Sequence, residues 1–215
     1  EYKDLSREKL LDMKKTLEAE YEAFRAKGLK LDMSRGKPNK AQLDLTNGML
    51  DTVNSSSDMT ASDGMETRNY GGLMGIPECR KLMAEIVGAD EKNVIIGGVA
   101  SLTLMYDYIS QCMVFGCGGN EPWIKQGEIK FLCPCPGYDR HFGILEHFGI
   151  KMINIKMNAD GPDMDSIEEY AKDESVKGLF CVPKYSNPDG ITFSDEVVRR
   201  FAALKPAAKD FRVIW

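Results

Sequence analysis

Apolar residues recur at three- and four-residue steps near the start of the chain. Leu10, Met13, Leu17, Tyr21 and Phe24 fall on one stripe, and the spacing predicts a helix over 6–27. Ser6 suits its N-cap and Gly28 its stop. The opposite face carries Lys14, Lys15, Glu18 and Glu22, a solvated set. Residues 50–65 are rich in Asp, Ser and Thr and read as loop, with a short helix near Asp51 to Asn54. A second helical pattern opens at Pro77, uses Cys79, Leu82, Met83, Ile86 and Val87, and stops at Gly88. Residues 93–96 then predict a short strand, turning through Gly97-Gly98-Val99-Ala100-Ser101 into a helix that holds Leu102, Met105, Ile109 and Met113. Beyond this point short apolar runs alternate with helical stretches. Strands are predicted at 128–133, 151–155, 178–182 and 211–215. Helices are predicted at 141–147, from Asp163 or Asp165 to Lys172, and at 195–204. That alternation implies a largely parallel sheet covered on both faces.

Composition narrows the class. The 215 residues suffice for one large domain, or for one domain with an extension. Hydrophobic content of 43% with 28% charged residues is that of a soluble globular chain. A net charge of −5 offers nothing to nucleic acid or an anionic membrane. The most apolar stretch, Val94 to Gly116, begins near a glycine pair and contains Asp107 and Gln111, so strand-turn-helix fits it better than a membrane span. The opening residues are charged and show no secretory-signal pattern. The six cysteines form no C-x-x-C pair. His141 and His147 are six apart and share no helix face, so no metal site is expected. Reduced, mostly buried thiols in a cytoplasmic protein are the expectation.

Candidate chemistry collects where strands end. Lys184-Tyr185-Ser186-Asn187-Pro188-Asp189-Gly190 follows the apolar run 178–182, and Pro183, Pro188 and Gly190 break regular structure there. In an open α/β sheet that edge binds ligands. Asn187 offers two donors and an acceptor beside a rigid proline; the same residues also make a plain Asn-Pro turn. The turn before Ser101 presents backbone N–H groups, a helix dipole and a hydroxyl to an anion, and equally suits a tight strand-helix connection. Tyr138 lies past another predicted strand, placed either to cover a flat ligand or to plug loop against core. Arg35-Gly36-Lys37 suits a loop closing over an anion and, taken alone, suits an exposed connector better. The glycine-rich 68–75 segment lacks G-x-G-x-x-G after a strand, and no G-x-x-x-x-G-K-[ST] occurs.

An anion site, an aromatic and an asparagine suit a flat phosphorylated aromatic ligand. Taken in order, Ser-Arg-Gly-Lys-Pro at 34–38, Thr-Arg-Asn-Tyr-Gly-Gly at 67–72, Gly98-Val99-Ala100-Ser101, Tyr138 and Asn187-Pro-Asp-Gly make the chain resemble class I/II pyridoxal-phosphate-dependent aminotransferases of fold type I. The nearest likeness is the bacterial aspartate-aminotransferase-like subgroup, over nearly the whole chain. The resemblance implies a three-layer α/β/α large domain with a mainly parallel sheet, incomplete at its C-terminal side, plus an N-terminal helical segment. Residues 1–50 would belong to the small domain and 51–215 to the cofactor domain. It implies that Ala100 and Ser101 bind the phosphate of pyridoxal 5′-phosphate, that Tyr138 stacks on the pyridine ring and that Asn187 bonds the ring hydroxyl oxygen. Tyr70 would reach the phosphate of the partner subunit in a homodimer, and Gly36 would lie in the segment that closes over substrate. Val-Ala-Ser at 99–101 is less polar than the triplet of many relatives, so fewer side-chain phosphate contacts are expected.

The family's Schiff-base lysine, its pyridine-binding Asp and its carboxylate-binding arginines are expected beyond Trp215. No catalytic residue is therefore expected among these 215, and the chain reads as an N-terminal half, inactive alone. The implied reaction moves an amino group between an amino acid, aspartate or glutamate by resemblance, and a 2-oxo acid. The alternatives are another enzyme on this scaffold, such as a carbon–sulfur lyase or decarboxylase, and a non-catalytic cofactor-binding module or subunit.

Overall fold

The computed structural model describes residues 2–32 and 36–215. The chain divides into two compact units, Glu1–Met59 and Thr60–Trp215. In the first, α1 (Arg7–Ala26) starts where Ser6 Oγ accepts from Lys9 N–H at 3.3 Å. Its stripe of Leu10, Met13, Leu17 and Tyr21 forms as the spacing predicts but stays exposed, lining a shallow groove with Tyr2. A further helix, α2 (Lys40–Asp44), has no apolar period to announce it. It rests on a reciprocal cap: Asn39 Oδ1 accepts from Gln42 N–H at 3.0 Å, and Gln42 Oε1 from Asn39 N–H at 2.8 Å. A 3-10 turn covers Asn47–Asp51, slightly before the short helix expected at 51–54.

The second unit carries α3 (Pro77–Val87) and α4 (Ser101–Phe115), then β1 (Lys130–Cys135), α5 (Asp139–His147), β2 (Lys151–Asn158), β3 (Gly161–Pro162), α6 (Met164–Tyr170), β4 (Val176–Phe180), α7 (Asp195–Ala203) and β5 (Arg212–Ile214). The strands form one sheet in the order β3-β2-β1-β4-β5. Every pairing is parallel except the short antiparallel β2–β3 edge. Side chains alternate across the sheet. Phe131 and Cys133 of β1 and Phe180 of β4 face a core with Ile109, Cys112 and Met113 of α4 and Ile144 and Leu145 of α5. Leu132, Ile155 and Leu179 face the other core, with Met164 and Ile167 of α6 and Val197 of α7. Helices thus cover both faces, giving the three-layer α/β/α arrangement.

One expected strand is absent. Residues 94–98 carry no strand pairing and follow a 3-10 turn at Glu91–Asn93. The backbone bonds found there join Val94 N–H to Glu91 O at 3.1 Å and Ile96 N–H to Met74 O at 2.9 Å. The apolar run Val94-Ile95-Ile96 has the composition of a strand but no neighbouring strand to pair with, and Ile95 is exposed.

Between β1 and β4 the register skips a residue, pairing Lys130 with Val176 and then Phe131 with Gly178. A bulge of this kind re-aims the extra side chain, here Lys177, which is buried with Asp210 at 2.9 Å. Asp210 also accepts from Trp123 Nε1 at 2.9 Å and Gln126 Nε2 at 3.0 Å. Burial alone would raise the Asp210 pKa, but the hydrogen bonds from Lys177 and Gln126 and the Lys177 charge outweigh it and hold the carboxyl below its ordinary value.

Removing one partner of a buried pair leaves the other charge uncompensated. Lys177→Met is therefore expected to cost about 3–5 kcal/mol in urea unfolding, the range for such pairs. A depressed folded pKa stabilises above the unfolded value, 3.8 for Asp, and that contribution is lost as pH falls through the lower folded value. Asp210→Asn should correspondingly flatten the acid limb of the stability curve, measured as urea midpoints between pH 5 and pH 2.

Candidate functional site

Because β1 and β4 lie side by side and run parallel, the loops after them open on the same edge of the sheet. The loop after β1 carries Tyr138, which is also the N-cap of α5. The loop after β4 carries Asn187. Both line one cleft, with Pro134, His141, Phe180 and Ser186 among its other walls. Two of the predicted site residues, separated by the whole β2–β4 segment, are thus brought together.

The Asn187 loop is held from within. Ser186 N–H donates to Ile191 O at 2.9 Å, and Ser186 Oγ accepts from Ile191 N–H at 3.0 Å. Phe193 N–H closes the base on Pro183 O at 2.8 Å. Asn187 stands on this clasp with its carboxamide bonded to no other described residue, so its donors and acceptor stay available to a ligand.

Tyr138 is half-buried and meets the His141 ring edge-on, with centroids 5.2 Å apart. His141 in turn stacks on Phe180 at 5.1 Å. Sequence inspection weighed His141 only as half of a metal pair and missed this role. The available signal was its place in the first turn of a helix that opens at Tyr138, before the apolar Phe142 and Ile144. Burial lowers the His141 pKa, favouring the neutral ring.

Ala100 is the N-cap of α4, and Ser101 is its first residue. Thr103 and Leu104 N–H groups bond back to Ala100 O, whereas the Ser101 and Leu102 amides have no backbone acceptor. The first turn of α4 lies against the first turn of α5: Leu102 and Thr103 share a groove with Asp139 and Arg140. Two free amides, an unbonded Ser101 hydroxyl and the positive end of a four-turn helix therefore lie beside the start of α5, but neither Ala100 nor Ser101 lines the cleft. A half-buried aromatic face, an unbonded carboxamide and, beyond the cleft, free helix N–H groups are donors and surfaces of the kind a flat phosphorylated aromatic would need.

The other predicted residues stand apart. Tyr70 is 96% exposed and does not line the cleft. Gly36 is exposed in the first unit, and its neighbour Arg35 lies outside the described residues. Among the described residues no three His, Cys, Asp or Glu side chains converge as a metal-ligand set. All six thiols are free; four are buried and Cys79 and Cys135 are half-buried.

Comparison with known proteins bears on this geometry. The family model described as aspartate amino-transferase matches residues 5–215. An aspartate aminotransferase of Corynebacterium glutamicum is 44% identical over 200 residues, covering 93% of this chain and 46% of the relative. A Mycolicibacterium smegmatis relative is 44% identical over 217 residues, covering all of this chain and 51% of its own length. The crystal structure of an aspartate transaminase from Corynebacterium glutamicum superposes with a TM-score of 0.88 at 42% identity, over 99% of this chain and 50% of that one. The chain therefore spans about half the length of the relatives it matches.

His141 should titrate below the ordinary histidine value of 6.5 when its ring carbon shifts are followed by NMR. A group with a lowered folded pKa stabilises above its unfolded pKa, so protonating His141 at lower pH should loosen the Tyr138 contact. His141→Phe is expected to retain the near-ultraviolet tyrosine dichroism as pH falls through the lowered folded pKa of His141, where the parent chain loses part of it.

Proposed function

The chain belongs to the aspartate amino-transferase family, and on that premise we propose that it supplies the cofactor-holding half of an aminotransferase acting on aspartate or glutamate and a 2-oxo acid. The observation that carries this reading is the meeting of Tyr138 and Asn187 in one cleft beside the N-terminus of α4. Pyridoxal 5′-phosphate, when bound, supplies the electron sink that makes an amino acid's Cα proton acidic. The residues here hold and orient it. Tyr138 covers a ring face, Asn187 donates to a ring oxygen, and the Ser101 and Leu102 amides with the Ser101 hydroxyl take the phosphate. His141 fixes the tilt of Tyr138.

Residues 1–50 serve as small-domain sequence on this reading, with Gly36 near the substrate. Tyr70, projecting into solvent from the second unit, reaches a second copy's phosphate in a homodimer. The proton-moving lysine and the carboxylate-binding groups come from sequence that corresponds to the relatives' other half. The proposed compartment is the cytoplasm. No helix among the described residues is long and apolar enough to cross a membrane.

The test joins this chain to the second half of the Corynebacterium glutamicum relative. The joined enzyme is expected to convert aspartate and 2-oxoglutarate to oxaloacetate and glutamate, followed by coupled absorbance. Release of a thiol with ammonia and pyruvate when cystathionine replaces aspartate, or of carbon dioxide from aspartate, in place of amino transfer would instead select a lyase or decarboxylase and sink the proposal. Asn187→Ala should lower kcat/KM by roughly tenfold or more, the loss of about one charge-assisted hydrogen bond. Tyr138→Ala should weaken cofactor retention during dialysis.

A further inference from the structure

One side chain of α3 grips the chain that leads into the Ser101 turn. Arg80 is half-buried, and its Nε donates to Val94 O at 3.0 Å while its Nη2 donates to Glu91 O at 2.8 Å. It pairs with no carboxylate among the described residues, so its planar fork serves main-chain oxygens alone. Two contacts hold the next stretch. Ile96 N–H donates to Met74 O at 2.9 Å. A Cβ on Gly97 would lie 2.3 Å from Leu104 Cδ2, so the backbone there passes directly against α4. All of these contacts are made within residues 74–104.

The Ala100–Ser101 peptide is a rigid plane that carries both Ala100 O and the Ser101 N–H. On the helix side it is held by the Thr103 and Leu104 N–H groups, which bond Ala100 O at 3.1 Å and 3.3 Å. On the other side it hangs on the stretch gripped by Arg80, because Ala100 is still outside the helix with a ψ of 105°. Resting on the reading of this turn as the phosphate cradle, we infer that Arg80 is a positioning residue for the cofactor: its hold on the Glu91 and Val94 carbonyls sets the Ala100–Ser101 peptide so that the Ser101 N–H and hydroxyl meet a phosphate. A hydrogen bond weakens steeply once its donor is misaimed. A shift of the Val94 end is therefore felt at the phosphate and not at the ring, since Tyr138 and Asn187 stand on the separate loops after β1 and β4.

The test compares pyridoxal 5′-phosphate with unphosphorylated pyridoxal by absorbance titration, on the enzyme made by joining this chain to the relative's second half. The parent should hold the phosphorylated form more tightly. Arg80→Lys keeps the charge but gives up the fork. It should weaken pyridoxal 5′-phosphate at least about tenfold and leave pyridoxal within about twofold. A merely structural role would instead weaken both alike. Gly75→Ala reaches the same stretch with Arg80 intact, because its Cβ would lie 2.6 Å from Ile96 Cβ, and it should reproduce the selective loss. Should Arg80→Lys fail to fold, Gly75→Ala decides. The inference is overturned if the deciding variant keeps the parent's phosphate preference, or if it weakens both forms together. A parent that binds the two forms equally overturns the phosphate reading of the turn, and the inference falls with it.

Discussion

The pairing of β1 with β4 is the constraint on which the rest of the larger unit depends. These strands are distant in sequence and adjacent in the sheet. Their contact is close because Gly178 has no side chain: a Cβ there would lie 2.1 Å from Arg212 O and 2.8 Å from Phe131 Cζ. Phe131 can therefore pack over Gly178, its ring tilted 47° to that of Phe180 with centroids 5.2 Å apart. The same pairing forces the loops after the two strands to open beside each other. Tyr138 and Asn187 face one cleft for that reason and not because of any contact between them.

The two ends of β4 are put to different uses. At its start, the bulge turns Lys177 inward to a carboxylate that also receives an indole and an amide N–H. Such a network fixes register, since every donor has its acceptor and any slip would leave a charge buried alone. At its other end the strand gives way to Cys181, which lines the cleft and whose thiol burial pushes up to about 12. Cys133, in β1, is likewise raised to about 12 by burial. Neither supplies a thiolate near neutral pH. A carbonyl-bearing ligand in the cleft would thus meet an aromatic and an amide without Cys181 thiolate as a competing nucleophile.

How much of this was legible in the sequence depends on whether the signal was local. The α1, α3 and α4 stripes and the runs that became β1, β2, β4 and β5 are periodic, and each forms close to its expected span. α2 rests on a side-chain cap and β3 on two residues, below what periodicity can register. The candidate aromatic and asparagine could be singled out, and found to share a cleft, because their chemistry shows in residue type and in position after a strand. His141 could not, because its meaning lies in touching Tyr138 and Phe180, and Phe180 is remote in the chain.

Residues 93–96 show the difference between a pattern and a partner. Their β-branched composition favours a pleated, half-buried surface, yet a strand exists only when backbone groups are paired across it. The α1 stripe makes the same point in helical form. Leu10, Leu17, Tyr21 and Phe24 are periodic enough to specify a helix and remain exposed on it. Periodicity selects the conformation that would put an apolar face on one side; burial requires a second surface of matching shape. In the larger unit that surface exists on both faces of the sheet, and every central position of β4 is buried. At β5 it exists on one edge only, and there all three residues are half-buried. The fall in burial from β4 to β5 is thus a statement about pairing, since each strand is non-basic apart from one residue, Lys177 in β4 and Arg212 in β5.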